Sequence, residues 1–319
     1  MSYPAEIKSA ARAELAKRRE RSLSQTEQNR AKVFAKIPQA AALEREISAA
    51  AAMVARTILS GGENINEKIK KIRDVNLEGQ KKLSSLLTAN GFCENALDDV
   101  HVCPICKDSG VSPDGMVCKC VKELERSLMF ERLAKSSNFS GKDFDSFSLG
   151  VFDASSRPVM EKVYNFCKDY AESFSPSSPS LLMIGSPGLG KTHLSLAVGF
   201  KVLEKGVNVV YEPFHSLFSK IENARFGRSD EDLAEVMKEP LECELLILDD
   251  LGSEMPSSVS AAALYEIINT RLLKGLPTII STNLTDREMI DRYKERVYSR
   301  LFGAYKKLPF IGEDYRLKK

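Results

Sequence analysis

One stretch of eight residues has the composition and spacing of a loop that binds phosphate groups. It fits the pattern G-x-x-x-x-G-K-[ST] and consists of Gly185, Ser186, Pro187, Gly188, Leu189, Gly190, Lys191 and Thr192. Glycines let the backbone turn tightly enough to direct its N–H groups at phosphate oxygens. We expect Lys191 to neutralise the β- and γ-phosphates and the Thr192 hydroxyl to ligate Mg²⁺. These residue types predict a site for a nucleoside triphosphate and its magnesium ion.

The sequence on either side of this loop predicts a strand before it and a helix after it. The apolar run 181–184 precedes the loop, and apolar residues at helical spacing follow from Leu194 to Leu203. A helix that begins at Lys191 adds its positive N-terminal end to the same anion. This context favours a phosphate site over a chance glycine turn.

Polar side chains follow two further apolar runs. Asp249 and Asp250 come directly after residues 244–248, and Asn283 comes directly after residues 277–282. In an open parallel sheet, ligands bind beyond the carboxyl ends of the strands. Asp249 suits Mg²⁺ coordination and Asp250 suits polarising an attacking water, while Asn283 suits holding that water or contacting the γ-phosphate. In isolation, such residues are also common in turns and helix caps.

Four cysteines are spaced as ligands of a structural metal ion. Cys103 and Cys106 form a C-x-x-C pair, and Cys118 and Cys120 follow after eleven residues. Four thiolates at this spacing can close a tetrahedral Zn²⁺ site that stabilises the fold and leaves no open position for catalysis. The second pair is tighter than usual, and His101 is an alternative ligand. Unliganded thiols or redox chemistry are the other interpretations of the C-x-x-C pair.

Composition limits the class of protein. The chain has 319 residues, which is room for about two domains, and 43% of them are hydrophobic. We expect no membrane span and no signal peptide, and the odd number of seven cysteines favours a reducing compartment, so the cytoplasm is the expected location. Residues 1–90 carry a net charge of +7 and the remainder −5. The basic segment is expected to contact nucleic acid or an acidic protein, or to be a solvated helix surface.

Periodicity predicts an α/β fold with a helical N-terminal region. Helices are expected over 5–58, 66–90 and 121–135, with a break at 60–64. Strands alternate with helical patterns and are expected at 181–184, 207–212, 244–249, 277–282 and 308–311. This alternation predicts a parallel five-stranded sheet with helices on both faces.

Four segments together resemble the AAA+ ATPases of the DnaC/IstB type, which are bacterial replicative helicase loaders and transposition helper proteins. The segments are GSPGLGKTH, in which His193 follows Thr192, and LLILDDLG, IISTNL and ERVYSRLFG, all within residues 139–319. The cysteine cluster and helical N-terminus are similar to those of the Firmicute helicase loaders. The resemblance implies four regions: a helical partner-docking region, 1–98; a four-cysteine zinc knuckle, 99–122; a linker, 123–147; and an AAA+ ATPase domain, 148–319.

The resemblance also implies roles for single residues. Asn283 would be the first sensor, and Arg300 would be an arginine finger that reaches the γ-phosphate in a neighbouring subunit, with Arg296 as a near alternative. Arg316 resembles a second sensor. A finger supplied in trans implies a homo-oligomer such as a hexamer. Asp250 stands where most AAA+ proteins have Glu, which is expected to slow hydrolysis.

Two groups of aromatic residues have more than one interpretation. Phe144 and Phe147 fall where such proteins pack around the adenine, but plain core aromatics would look the same. In the segment 214–228, Phe218 and Phe226 are candidates for stacking on single-stranded DNA. The basic residues of the same segment are Lys220, Arg225 and Arg228. A solvated helix with core phenylalanines is the alternative.

The resemblance implies an ATP-dependent loader of the replicative DNA helicase in replication initiation or restart. Its cofactors would be ATP, Mg²⁺ and Zn²⁺, and its partners the replicative helicase and single-stranded DNA, with the N-terminal helices and zinc knuckle holding the helicase. One alternative is an IstB-like transposition helper ATPase that binds duplex DNA. Another is a non-catalytic adaptor in which nucleotide only stabilises the fold.

Overall fold

Five parallel strands form the sheet that positions the phosphate loop. In the computed structural model, which describes residues 3–60, 65–136 and 143–314, the strand order is β2-β3-β4-β1-β5. The strands are β1 (Leu181–Ile184), β2 (Val209–Pro213), β3 (Leu245–Leu251), β4 (Thr278–Thr282) and β5 (Lys306–Pro309). The α/β class, the parallel sheet and the five predicted strands are confirmed, with ends that differ by at most two residues.

The described residues divide into two compact units. The helical unit comprises residues 12–121, and the sheet unit comprises residues 1–11 and 122–319. The first helices are α1 (Ala5–Lys36), α2 (Pro38–Ser60), α3 (Ile65–Ala89) and α4 (Lys119–Ser136). The others are α5 (Arg157–Ser173), α6 (Lys191–Glu204), α7 (Phe214–Arg225), α8 (Leu233–Glu242), α9 (Ser258–Lys274) and α10 (Asp286–Ala304), with one 3₁₀ turn at Leu149–Val151.

The predicted N-terminal helical region is present in the structure. Pro38 occupies the first position of α2, where its fixed φ suits a helix start and its missing N–H costs nothing. In the helical unit, α1, α2 and α3 share a small core that contains Val33, Ala40 and Leu87. Most of the break expected at 60–64 lies outside the described residues.

Most of helix α4 lies within the segment expected to link the domains, 123–147. Its Met129 and Leu133 are buried in the core of the sheet unit. The four regional boundaries implied by the resemblance remain a prediction. Among the described helices, none has both the length and the apolarity that crossing a membrane requires.

The central strands β1 and β3 are covered on both faces of the sheet, which explains why residues 181–184 and 245–248 are continuous apolar runs. Along β1, Leu181 and Met183 pack on one side with α5 and α6, and Leu182 packs on the other with α7, α9 and α10. Successive side chains of a strand point to opposite faces, so a run without alternation requires two covered faces. The carboxyl ends of the strands remain as the edge at which polar residues gather.

One buried cation holds the opposite, amino-terminal edge of the sheet. Arg271 of α9 is fully buried. Its guanidinium donates to Thr278 Oγ1 at 2.8 Å and to the carbonyls of Pro240 at 2.8 Å, Cys243 at 2.9 Å and Pro277 at 2.7 Å. These acceptors lie beside the first residues of β3 and β4. Arg271 therefore ties the starts of two neighbouring strands to one helix.

Candidate nucleotide-binding site

The strand order brings the polar strand ends together. Strand β4 lies between β1 and β3, so the residue that follows β4, Asn283, lies between the phosphate loop and the two aspartates of β3. All three strands are parallel and end at the same edge. This is the edge at which ligands bind in open α/β sheets.

The lysine of the loop is held by three oxygen atoms. Lys191 is 7% exposed, and its Nζ donates to the carbonyls of Gly185 at 2.6 Å and Ser186 at 2.7 Å and to Asn283 Oδ1 at 2.5 Å. The ammonium thus lies at the mouth of the loop and contacts the end of β4. The sequence predicted Lys191 and Asn283 separately, and the fold places them in contact.

Two glycines of the loop have conformations and surroundings that exclude a side chain. Gly188 and Gly190 have φ values of +75° and +86°, in the left-handed region. A Cβ on Gly190 would lie 2.5 Å from the Phe147 ring, and one on Gly188 would lie 1.7 Å from Asp314 Oδ1. The loop is therefore closely covered by Phe147 and Asp314.

The hydroxyl of Thr192 and the carboxylate of Asp249 form an oxygen-rich pair. Thr192 Oγ1 lies 3.0 and 2.9 Å from the two carboxylate oxygens of Asp249, which is 5% exposed. Hard oxygen ligands of this kind, one hydroxyl beside one carboxylate, are those that Mg²⁺ prefers next to phosphates. The residues present therefore fit a magnesium ion.

Two residues that the sequence analysis missed orient that carboxylate. Tyr211 of β2 donates its hydroxyl to Asp249 Oδ2 at 2.9 Å, and Ser281 of β4 donates to Asp249 Oδ1 at 2.5 Å. Burial, and then the charge of Asp249, raise the pKa of the Tyr211 phenol, so it stays protonated and remains a donor. The sequence signal for both residues is weak, because each shares its strand with at least one other polar residue.

A register shift in β3 changes the direction of the side chains near its two aspartates. The register with β4 shifts between Leu248 and Leu251, and Asp250 has a φ of +55°. A bulge of this kind redirects side chains from their regular alternation. The Asp250 N–H donates to Ser281 Oγ at 2.8 Å, and Asn283 Nδ2 donates to Asp250 Oδ1 at 2.9 Å. Lys191, Asn283 and Asp250 thus form one continuous chain of contacts.

His193 and the aromatic segment before α5 form a second wall of the loop. His193 Nε2 lies 2.8 Å from the Asp143 carbonyl, which can only accept, and 3.2 Å from Ser146 Oγ. The Phe147 ring meets the His193 ring edge-on at 5.2 Å and stacks on Tyr164 at 5.8 Å. These contacts hold Phe147 over the loop. Phe144 is buried and contacts the same Tyr164 ring.

The two candidate finger arginines lie on α10, beyond a break in that helix. Lys294 has a φ of +69° inside α10, and Arg296 and Arg300 follow it, both exposed. They line an open groove of about 620 Å³ with Tyr265. In the described part of the chain, neither guanidinium is hydrogen-bonded to the phosphate loop. Arg316 lies outside the described residues.

The four cysteines converge in the helical unit. Their Sγ atoms all lie within 4.8 Å of one another, with Cys103 and Cys118 at 3.8 Å and Cys106 and Cys120 at 3.5 Å. A tetrahedral zinc ion with Zn–S bonds of about 2.3 Å would place sulfur atoms roughly 3.8 Å apart. The donor set therefore fits zinc, and His101 is not part of the cluster.

An aspartate that the sequence analysis did not single out organises the first cysteine pair. Asp108, with a φ of +60°, is 2% exposed. Its carboxylate accepts from the N–H groups of Val102 and Cys103, both at 2.9 Å, and from Ser22 Oγ at 3.0 Å. These bonds fix the backbone on which Cys103 sits. Three donors also hold the pKa of Asp108 below its usual value despite its burial.

The segment 214–228, proposed to stack on single-stranded DNA, is only partly on the surface. Phe218 is 5% exposed and packs in the core under the sheet, so its prediction as a stacking ring is wrong. Phe226 is 55% exposed, with the Arg228 guanidinium 5.5 Å from its ring centre. Lys220 is paired with Glu212 at 2.8 Å. The longest exposed run in this segment begins at Arg225, the last residue of α7, and continues to Arg228.

Comparison with known proteins gives matches to part of the chain. Residues 167–319 match the family model described as IstB-like ATP binding protein. The replicative helicase loader DnaC of Buchnera aphidicola subsp. Baizongia pistaciae is 27% identical over 159 residues, 50% of this chain and 65% of that protein. The insertion sequence IS21 putative ATP-binding protein of Pseudomonas aeruginosa is 27% identical over 150 residues, 46% of this chain and 55% of that protein.

A solved structure described as the DnaC helicase loader aligns with a TM-score of 0.47 at 24% identity, covering 57% of this chain and 99% of that chain. The matched segments span less than two thirds of the two curated relatives. The loader and the insertion-sequence protein are matched at equal identity, so identity alone does not choose between them.

Proposed function

We propose that this chain, whose residues 167–319 match the family model described as IstB-like ATP binding protein, is an AAA+ ATPase of the DnaC/IstB type that loads a replicative DNA helicase onto single-stranded DNA. The observation that carries the ATPase part is the continuous set of contacts from Lys191 through Asn283 to Asp250, beside the Thr192–Asp249 pair. The loader part is supported by the relatives named replicative helicase loader.

In this proposal each residue of the site has one task. Lys191 and the N–H groups of the loop bind the β- and γ-phosphates, and Thr192 and Asp249 hold Mg²⁺. Asp250 accepts a proton from, or orients, the attacking water, and Asn283 holds that water against the γ-phosphate. Bound Mg²⁺ supplies charge neutralisation for the transferring phosphoryl group.

Phe147 is the better of the two candidates for an adenine contact. It lies against the loop at Gly190, whereas Phe144 contacts Tyr164 in the core. An aromatic ring beside the phosphate loop offers a flat apolar surface for a base. The same segment is anchored by His193, which gives that residue its place in the proposed site.

Arg300 is proposed as the finger supplied to a neighbouring subunit. It is exposed on the last turns of α10 and lines an open groove, as a residue that acts in trans must. A guanidinium from outside the subunit offsets charge on the transferring phosphoryl group. ATP turnover therefore requires a homo-oligomer. Arg296 lines the same groove and is the alternative finger.

The helical unit is proposed to be the part that holds the helicase. Zinc bound by Cys103, Cys106, Cys118 and Cys120 would fix the fold of this segment, because the four thiolates leave no open position for catalysis. The helices α1 to α3 bring most of the basic surface of residues 1–90. Exposed Phe226 and Arg228 are the proposed contacts with single-stranded DNA.

The experiment for this function combines binding and delivery. The purified chain, a replicative helicase and circular single-stranded DNA are mixed with ATP, and helicase bound to the DNA is counted after gel filtration. The proposal expects helicase retention that depends on this chain and is lost for Lys191→Ala. Unchanged helicase delivery, with no complex between the two proteins, would refute the loader role.

A transposition helper ATPase is the second candidate, because the insertion-sequence relative is as similar as the loader. It predicts ATP-dependent assembly along duplex DNA and no complex with a replicative helicase. Sedimentation with duplex DNA and with single-stranded DNA, each with and without ATP, distinguishes the two functions.

A further inference from the structure

A buried glutamate connects the loop after Asp250 to the helix that carries Arg300. Glu254 is 6% exposed and lies four residues beyond Asp250. Its Oε2 accepts from the Gly252 N–H at 3.1 Å, and its Oε1 accepts from the Tyr293 hydroxyl of α10. One carboxylate thus joins the end of β3 to α10.

The same helix contacts the loop a second time. Arg292 Nη1 donates to the carbonyl of Gly252 and, at 3.3 Å, to that of Glu254. Only glycine fits at position 252, because its φ is +103° and a Cβ there would lie 2.7 Å from the Leu284 side chain. Arg292 and Tyr293 are therefore both attached to a short, constrained segment that begins at the aspartates.

The break in α10 comes immediately after these two anchored residues. Lys294, with its φ of +69°, separates the first part of the helix from the part that carries Arg296 and Arg300. No glycine or proline lies between 286 and 302 to cause such a break. A non-glycine residue in this region costs free energy and persists only where surrounding contacts hold it. The contacts of Arg292 and Tyr293 with the Glu254 loop directly precede Lys294 in the chain, and Lys294 Nζ also donates to the Asp291 carbonyl at 3.1 Å.

We propose that Glu254 is a positioning residue that determines where Arg300 of the same subunit lies. The position of the arginine finger that a neighbouring subunit receives then depends on the loop after Asp250. This inference rests on the proposed function of Arg300 as a finger. It goes beyond that function by assigning a role to Glu254, Arg292 and Tyr293, none of which contacts the phosphate loop in the described structure.

The experiment uses two inactive subunits that complement each other. A Lys191→Ala subunit binds nucleotide weakly and does not turn it over, but it supplies Arg300. An Arg300→Ala subunit binds nucleotide but supplies no finger. Each is expected to be inactive alone and the mixture to regain turnover. Tyr293→Phe, which removes only the hydroxyl that Glu254 accepts, is then placed in one subunit type at a time.

Tyr293→Phe in the finger-supplying subunit is expected to lower turnover of the mixture about tenfold without changing the KM for ATP. The same change in the nucleotide-binding subunit is expected to lower turnover less than about twofold. Equal losses from the two placements, or a larger loss in the nucleotide-binding subunit, would overturn the proposal. Glu254→Gln, which keeps an acceptor for Tyr293, is expected to retain more activity than Glu254→Ala in the finger-supplying subunit.

Tyr298→Phe is the matched control. Tyr298 lies on the same helix, and its hydroxyl donates to Asp286 Oδ2 at 3.2 Å rather than to Glu254. It should leave the mixture unchanged, and a loss equal to that of Tyr293→Phe would refute a specific role of Glu254. If the unaltered mixture shows no turnover, the finger assignment fails first and this inference with it, whereas nucleotide binding and helicase delivery remain separately measurable.

Discussion

Ser281 gives the most direct test of how the two aspartates are held. Its Oγ donates to Asp249 at 2.5 Å and accepts from the Asp250 N–H at 2.8 Å, and the residue is 2% exposed. Ser281→Ala removes both bonds and adds no bulk. It leaves the Asp250 N–H, whose φ of +55° is already unfavourable, without its acceptor.

The magnitude follows from these two bonds. A hydrogen bond to a charged group contributes about 1.5–3 kcal/mol, and a buried donor left without an acceptor costs about 1–3 kcal/mol. The two losses share one side chain and are not additive, so we expect the free energy of unfolding to fall by about 2–4 kcal/mol. Asp249 also loses one of the donors that orient it, so the Mg²⁺ concentration needed for half-maximal nucleotide binding should rise about tenfold.

Urea unfolding followed by far-ultraviolet circular dichroism measures the first effect, since the chain has no tryptophan to serve as a fluorescent probe. Ser253→Ala is the matched control, because Ser253 is exposed and its Oγ donates only to the Asp250 carbonyl, at 2.8 Å. The control should change stability by less than about 0.5 kcal/mol. Equal unfolding midpoints for the two variants, with equal magnesium requirements, would refute the role assigned to Ser281.

Three further predictions concern the proposed nucleotide, finger and zinc residues. Lys191→Ala should lower nucleotide affinity by about 10- to 100-fold in a fluorescent-nucleotide titration, because it removes the cation on the phosphates. Arg300→Ala should leave that affinity within about twofold and lower steady-state turnover by about 10³-fold, because the finger acts on the transferring phosphoryl group. Cys103→Ser should release zinc, measured by metal analysis, and reduce the helicity of the helical unit while nucleotide affinity stays normal. The controls are Lys201→Ala on α6, the exposed Arg287→Ala on α10 and the exposed Cys93→Ser. The loop assignment is contradicted if Lys191→Ala has unchanged nucleotide affinity. The finger assignment is contradicted if Arg300→Ala and Arg287→Ala have equal turnover. The zinc ligand set is contradicted if Cys103→Ser retains its full zinc content.

The sequence predicted β1 and β3 well because both strands lie between helices on the two faces of the sheet and therefore stand out as apolar runs. The edge strand β5 gives a weaker signal, because only Leu308 of its four residues is buried. The sequence also predicted which strand ends carry polar residues. The bulge at Asp250 was not predictable, because it depends on how β3 pairs with β4 and not on the residues of β3 alone. For the same reason, nothing in the local sequence indicated that Tyr211 and Ser281 would contact Asp249.

The aromatic residues show a different limit. Phe218 and Phe226 both follow β2 in a segment with basic neighbours, and composition does not distinguish them. Phe218 lies on the face of α7 that packs under the sheet and is buried, whereas Phe226 comes directly after the last residue of α7 and is exposed. The break at Lys294 was equally hidden, since the usual helix-breaking residues are absent around it.

The buried guanidinium of Arg271 has a mechanical consequence for the sheet. By bonding to Thr278, Pro277 and Cys243, it fastens the starts of β3 and β4 to a single planar group. Sliding of one strand past the other at that end would leave several carbonyls without their donor, at a high cost in free energy. The two strands are therefore held in register at that end, whereas their register shifts between Leu248 and Leu251, next to the far ends where Asp250 and Asn283 lie.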